Sequence, residues 1–279
     1  FLAPVILDYA RDVLPLTPKG NATERHVCMA YDAKAREVFT DEDALAAYWS
    51  GKLGMDQAGV RAALADPPVF QGHIRAKTMK AGGAGYVRPE GPDFPRLDAV
   101  NKMILNAGGL PVMAWLDGLS VGEQALDELL DVMTATGAAA VNIIPDRNWN
   151  IKDAGTKRKK VEQFDLFIDA AGTRGLPVIV GTEINAYGQR FVDDFDAPEM
   201  ARHRTVFLEG AMILYGHTML QAAQGMGYLS EWAVNTLPDR PDRNRFFAAV
   251  GHQLDPRATD CLGGIDAAMD SDAVLRALR

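Results

Sequence analysis

The distribution of apolar and polar residues repeats three times between residues 97 and 185. Each repeat has an apolar stretch with helical spacing, a glycine that stops it, a short run rich in β-branched residues and a polar ending. The repeats cover residues 97–118, 123–148 and 160–185. Because a helix followed by a strand recurs about every 30 residues, the pattern predicts parallel strands near 111–116, 140–145 and 177–182.

This alternation predicts an α/β fold, and within that class a parallel (β/α) barrel of the TIM-like type. The chain is expected to form one domain. A mainly helical region and a Gly/Pro-rich loop occupy 1–96, recognisable β/α units occupy 97–237, and a tail occupies 238–279. The apolar run 210–217 fits either a fourth strand that ends at His217 or a buried helix, since short apolar runs do not distinguish the two.

A carboxylate follows each of the three predicted strands: Asp117, Asp146 and Glu183. Parallel strands place their carboxyl ends on one face of a sheet, where the active sites of such folds lie. Converging carboxylates hold divalent cations or act as acid and base. The alternative is that Asp117 belongs to a turn, Asp146 caps a loop, and only Glu183 faces a cavity.

The segment after the second predicted strand is dense in residues that recognise ligands. Arg147 can bind a carboxylate or phosphate through two parallel hydrogen bonds, and Trp149 can stack on a sugar or a ring. Asn148 adds an amide at the same strand end, and Asn185 adds one after the third strand. The alternative for 145–150 is an ordinary Asn-rich turn.

His217 and Lys77 are two further candidates. None of the five histidines forms a tight ligand pair with another, so His217 is the best single candidate for a metal ligand or base, and a structural histidine is the alternative. Lys77 lies in the stretch 73–88, whose glycine-rich backbone can form an anion nest between flanking cations. The alternative for this stretch is a plain mobile loop.

Composition excludes several classes of function. The 279 residues carry a net charge of -8, which argues against a general nucleic-acid binder, and the basic run 157–160 is most simply a solvated helix start or loop. No apolar run reaches transmembrane length, so no membrane association is expected. The two cysteines lie far apart, which favours a reduced, cytoplasmic protein over a disulfide scaffold.

The segment 111–185 resembles the opening of the PHP (polymerase and histidinol phosphatase-like) superfamily of metal-dependent phosphoesterases. The matching parts are the strand and turn at 112–120, the second strand with its ending at 141–147, and the Gly-x-Glu ending at 181–183. The superfamily's His-x-His position reads Ala-Trp-Leu at 114–116, and its Asp-His position reads Asp146-Arg147. Glu183 and His217 keep metal-ligand types. The resemblance implies a PHP-like barrel whose trinuclear metal centre has been lost or rebuilt.

Two hypotheses for function follow. The first is a metal-dependent hydrolase of a small phosphorylated or other anionic substrate, in which a divalent Zn, Mn or Fe ion acidifies a bound water. Its residues are catalytic Glu183 and Asp146, metal ligands Glu183, His217 and Asp117, and substrate-binding Arg147, Asn148, Trp149, Asn185 and Lys77. The second is a catalytically degenerate barrel that binds a sugar or small anion. The missing histidine pair favours the second, and the strand-end carboxylates and His217 favour the first.

Overall fold

The chain forms two compact units, Phe1–Phe94 and Pro95–Arg279. The structure, a computed structural model, describes residues 1–184, 189–257 and 259–278. The division between the units lies in the Gly/Pro-rich segment that precedes the first helix–strand repeat. That the whole chain works as one domain stays a prediction.

The first unit is built from helices with well-defined amino-terminal caps. They are α1 (Glu24–Val38), α2 (Glu42–Leu53), α3 (Gln57–Leu64) and α4 (Pro67–Thr78). Asp41, Asp56 and Asp66 precede α2, α3 and α4, and each carboxylate accepts a hydrogen bond from the backbone N–H three residues later. The helices bury an apolar core in which Trp49 contacts Phe70 edge to face, with ring centroids 5.2 Å apart.

The second unit begins with alternating helices and strands and ends with helices. Its elements are α5 (Leu97–Asn106), β1 (Val112–Trp115), α6 (Val121–Gln124), α7 (Leu126–Ala135), β2 (Ala140–Ile143), α8 (Asp146–Trp149), α9 (Ala154–Thr173), β3 (Val178–Val180), α10 (Pro198–Ala201), α11 (Arg204–Gln224), α12 (Glu231–Thr236), α13 (Arg240–Gln253) and α14 (Ser271–Ala277). β1 pairs with β2, and β2 pairs with β3, both in parallel. The prediction of three parallel strands near these positions is therefore confirmed.

The predicted (β/α) barrel is wrong. In the described residues three strands form an open sheet in the order β1-β2-β3, and about 60% of the chain is helical. The run 210–217 is part of helix α11 and not a fourth strand. A Cβ atom on Gly210 would lie 1.9 Å from the carbonyl oxygen of Val178, so the helix backbone is pressed against β3. A helix thus occupies the place beside β3 where a barrel requires another strand.

Two apolar clusters hold the second unit together. One surrounds the sheet and α9, where the Trp115 ring stacks on Phe167 at a centroid distance of 4.5 Å. The other joins α11, α13 and α14. Gly216 lets α11 approach α13 closely, since a Cβ there would lie 2.2 Å from the carbonyl oxygen of Phe247. Helix α11 therefore contacts β3 and α13 at the same time.

Candidate functional site

The carboxyl ends of the three strands form one edge of the sheet. Trp115 is in register with Ile143, and Ile143 with Val180. The residues that follow the three strands therefore leave the sheet side by side. This is the edge at which open parallel sheets bind ligands. The strand-end side chains are therefore the first candidates for a binding site.

Asp117, after β1, is held by Lys160 of α9. Lys160 Nζ lies 2.9 Å from Asp117 Oδ2 and also donates to the carbonyl oxygen of Arg147 at 3.2 Å. Burial acts to raise the pKa of Asp117, but hydrogen bonds from Lys160 and from the Leu119 N–H, together with the charges of Lys160 and Arg147, outweigh it and lower that pKa. Asp117 is thus an ion-paired carboxylate that links β1 to α9.

Glu183, after β3, is paired with Arg147, after β2. Arg147 Nη1 donates to both carboxylate oxygens of Glu183, at 3.1 and 3.3 Å. The side chains keep 38% and 23% of their surface exposed, so the pair lies at the rim and not in the core. Within the described residues no acceptor takes a hydrogen bond from Arg147 Nε or Nη2. Asp117 and Glu183 are therefore linked along the edge through Lys160 and Arg147.

Lys160 is the residue of this edge that the sequence interpretation missed. The sequence pattern places it in a solvated basic run, yet only 14% of its side chain is exposed. The available signal was spacing, because Lys160 shares one helical face with the buried Phe164 and Phe167. A lysine on an apolar helix face packs its methylene groups against the core, so its ammonium group requires a polar partner or solvent.

The other predicted residues at the second strand end serve local structure. Asp146 Oδ1 accepts a hydrogen bond from Asn150, one turn later. Asn148 is buried and donates to the carbonyl oxygens of Leu116 and Ile144, which ties the ends of β1 and β2 together. Trp149 packs against the core around the sheet. Asn185 lies outside the described residues.

His217 lies far from a strand end, inside α11. It is buried, and its Nδ1 accepts a hydrogen bond from the Tyr228 N–H at 2.9 Å. Burial lowers its pKa, and a hydrogen bond with the backbone of Gly108, just before β1, opposes that change only in part. Gly108 precedes β1 whereas Asp117 follows it, so His217 and Asp117 lie toward opposite ends of β1, and their joint role as metal ligands stays a prediction. The geometry fits a structural histidine.

Metal binding gains no support from these positions. Across residues 1–184, 189–257 and 259–278, no three His, Cys, Asp or Glu side chains come together as a ligand group. Asp117 and Glu183 each face a cation of the chain instead. A resident Zn, Mn or Fe ion stays a prediction.

Lys77 belongs to the first unit, where it is exposed in the last turn of α4. Part of the glycine-rich backbone after it is hydrogen-bonded within the chain, and anion binding by this stretch stays a prediction. The N–H groups of Ala84 and Gly85 donate to the carbonyl oxygens of Lys77 and Thr78, at 3.1 and 2.8 Å. Because these donors cap the end of α4, they do not point at an anion.

A large apolar cavity lies between β3 and α11, and we call it the β3–α11 cavity. Its volume is about 710 Å³. The cavity is lined by Ile179, Val180, Thr182, Phe195, Arg204, Phe207, Leu208, Ala211, Leu214, Tyr215, Thr218 and Met219. Thr182 comes from the carboxyl end of β3, directly before Glu183, so the cavity reaches the edge of the sheet. Its volume is within the range of small-molecule sites.

The cavity exists because α11 is apolar on more than one face. One face, with Gly210, Ile213 and Leu220, is buried in the unit. A second row, Leu208, Ala211 and Leu214, follows helical spacing and lines the cavity. A helix that is apolar nearly all round is usually covered on every side, and this was the sequence signal for the cavity.

No protein-family model, curated protein or solved structure matches this chain. The resemblance of 111–185 to the PHP superfamily therefore stays a prediction. In the part of the chain that the structure describes, no helix has both the length and the apolar character needed to cross a membrane.

Proposed function

We propose that the second unit binds a small, largely apolar organic molecule in the β3–α11 cavity. The observation that carries this proposal is the cavity itself, a space of about 710 Å³ with apolar walls at the carboxyl end of a parallel strand. Ligands of open parallel sheets bind outside the carboxyl ends of the strands, and apolar pockets of this volume hold drug-sized molecules.

The test uses pyrenebutanol, an uncharged fluorescent probe whose emission reports the polarity around it. The full chain should bind the probe with one site per molecule. Ala211→Phe should weaken binding, because Ala211 lines the cavity and a ring there takes space that the probe needs. Ala135→Phe is the matched control, since Ala135 is an exposed helical alanine of α7 outside the cavity lining. Equal binding by the two variants contradicts the proposal.

A small anion is the second candidate ligand, and one observation favours it. Arg147 donates to Glu183 through Nη1 alone, and its Nε and Nη2 have no acceptor in the described residues. Those two nitrogens form an edge that suits a carboxylate or phosphate. Titration with inorganic phosphate tests this candidate. Arg147→Gln should abolish binding while Arg190→Gln, at an exposed arginine, should leave it unchanged. Equal affinity of both variants contradicts it.

The wider setting of the protein also stays a prediction. The acidic balance favours a partner that is a small molecule and not a nucleic acid. The two free cysteines favour a cytoplasmic location. Fractionation of cells that express the chain tests the second of these expectations.

A further inference from the structure

Two hydroxyl oxygens on the wall of the β3–α11 cavity, those of Thr182 and Thr218, can only accept a hydrogen bond from a ligand, whereas the buried Tyr215 hydroxyl has no partner within the described residues. Thr182 Oγ1 donates its one proton to Asp193 Oδ2 at 2.7 Å. Thr218 Oγ1 donates its proton to the carbonyl oxygen of Leu214 at 2.8 Å. A hydroxyl group whose proton is already donated in a hydrogen bond offers a ligand only its oxygen lone pairs. The ligand group that meets Thr182 must therefore be a donor.

A nearly buried carboxylate stands behind Thr182. Asp193 is 5% exposed, and its Oδ1 accepts no hydrogen bond within the described residues. No Lys, Arg or His side chain of the described residues lies within ion-pair distance of it. A buried carboxylate with one hydrogen bond is unfavourable unless a cation or further donors approach it.

Arg204 is the cation on the cavity wall, and it is already engaged. Its Nη2 donates to the carboxylate of Asp196 and to the carbonyl oxygen of Phe195. About half of its side chain is exposed to solvent, which screens its charge. The charge beside the cavity that has no partner of opposite sign is therefore the negative charge of Asp193.

On the basis of the proposed function, we infer that the ligand of the β3–α11 cavity is a primary amine with an apolar body. The apolar part lies between Val180 and the Leu208, Ala211 and Leu214 row of α11. The ammonium group donates to the oxygen of Thr182 and brings the missing positive charge to Asp193.

Three probes that share one apolar body test this inference. Pyrenebutylamine carries an ammonium group, pyrenebutanol a hydroxyl group and pyrenebutyrate a carboxylate. The full chain should bind the amine about tenfold more tightly than the alcohol, and the carboxylate least well. Asp193→Asn should bring the amine and alcohol affinities together. Asp194→Asn is the matched control, because Asp194 is the neighbouring aspartate and 42% of its side chain is exposed.

Thr182→Val provides an independent variant if Asp193→Asn fails to fold. It keeps the shape of the side chain, removes the acceptor oxygen and should also remove the preference for the amine. Equal amine and alcohol affinities in the unmodified chain overturn the inference but leave the proposed function standing, because the alcohol still binds. Tighter binding of the carboxylate also overturns it and assigns the polar end to Arg204. Failure of all three probes overturns the proposed function as well.

Discussion

Individual residues at the edge of the sheet show where the sequence is informative. The positions of Asp117 and Glu183 after β-rich runs predict that both lie at the strand ends, and each does follow its strand. Their partners could not be predicted in the same way. Lys160 is 43 residues from Asp117 and reaches it only because α9 turns that face toward β1. Pairing depends on how elements pack, and a local pattern does not contain that information.

Asp117→Asn tests the role of the pair with Lys160. The pKa of Asp117 is lowered in the folded chain, so the unfolded chain binds more protons at acidic pH. The stabilisation is complete above the unfolded pKa of about 4 and is lost as pH falls through the lower folded value. At pH 7 the substitution should reduce the free energy of unfolding by about 2 kcal/mol, because the pair is mostly but not fully buried.

Urea denaturation of both proteins at several pH values measures this effect. The difference between them should shrink steadily below the unfolded pKa of about 4. Asp146→Asn is the control, since Asp146 is also a strand-end aspartate but its described partner is the amide of Asn150. A constant difference at all pH values, or an equal loss in the control, contradicts the ion-pair role.

Among the helices and strands, glycines explain why the three strands are predictable from the sequence and why helix α11 is not. Gly108, Gly137 and Gly175 adopt positive φ of 77°, 108° and 63°, and they end the helices that precede the strands. These stops make the strands predictable. Gly210 and Gly216 instead allow α11 to approach its neighbours closely. An apolar run that contains such glycines fits a strand as well as a helix.

Gly210→Ala should destabilise the second unit strongly. The added methyl group would meet the Val178 carbonyl, which is backbone and cannot rotate away, so α11 must move off β3. We expect a loss of about 3 kcal/mol in the free energy of unfolding. Gly172→Ala is the matched control in an exposed part of α9, where an added Cβ meets nothing within 4 Å. That substitution should stabilise the chain by about 0.5 kcal/mol.

Thermal and urea denaturation of the two variants make the comparison. A Gly210→Ala protein as stable as the unmodified chain would mean that α11 is not pressed against β3. The same result would mean that α11 does not form a wall of the β3–α11 cavity.

For the whole molecule, the sequence predicts the order of elements better than the architecture they form. Three helix–strand repeats suggest a barrel, but the long helices after β3 leave an open sheet. The sequence also indicates that α11 is apolar on more than one face, but it does not predict the size of the cavity beside it. Its volume depends on the spacing between β3 and α11, whereas its lining residues also fit an ordinary buried helix face.

Limited digestion with trypsin tests the division into two units. Lys80 and Arg96 are exposed and lie outside regular helices, in or beside the Gly/Pro-rich segment. We expect the first cuts there, because exposed irregular backbone enters a protease active site most easily. Arg158 and Lys159 are the internal control, since they are equally exposed but lie within α9. First cuts at the control positions contradict the division at Phe94.

The central claim is that the β3–α11 cavity is a ligand site. Its most direct test is a crystal structure of the full chain grown with saturating pyrenebutylamine. We expect the pyrene rings between Val180 and Leu214, with the amine nitrogen within hydrogen-bond distance of Thr182. A structure with the probe bound elsewhere and this cavity empty would contradict the claim.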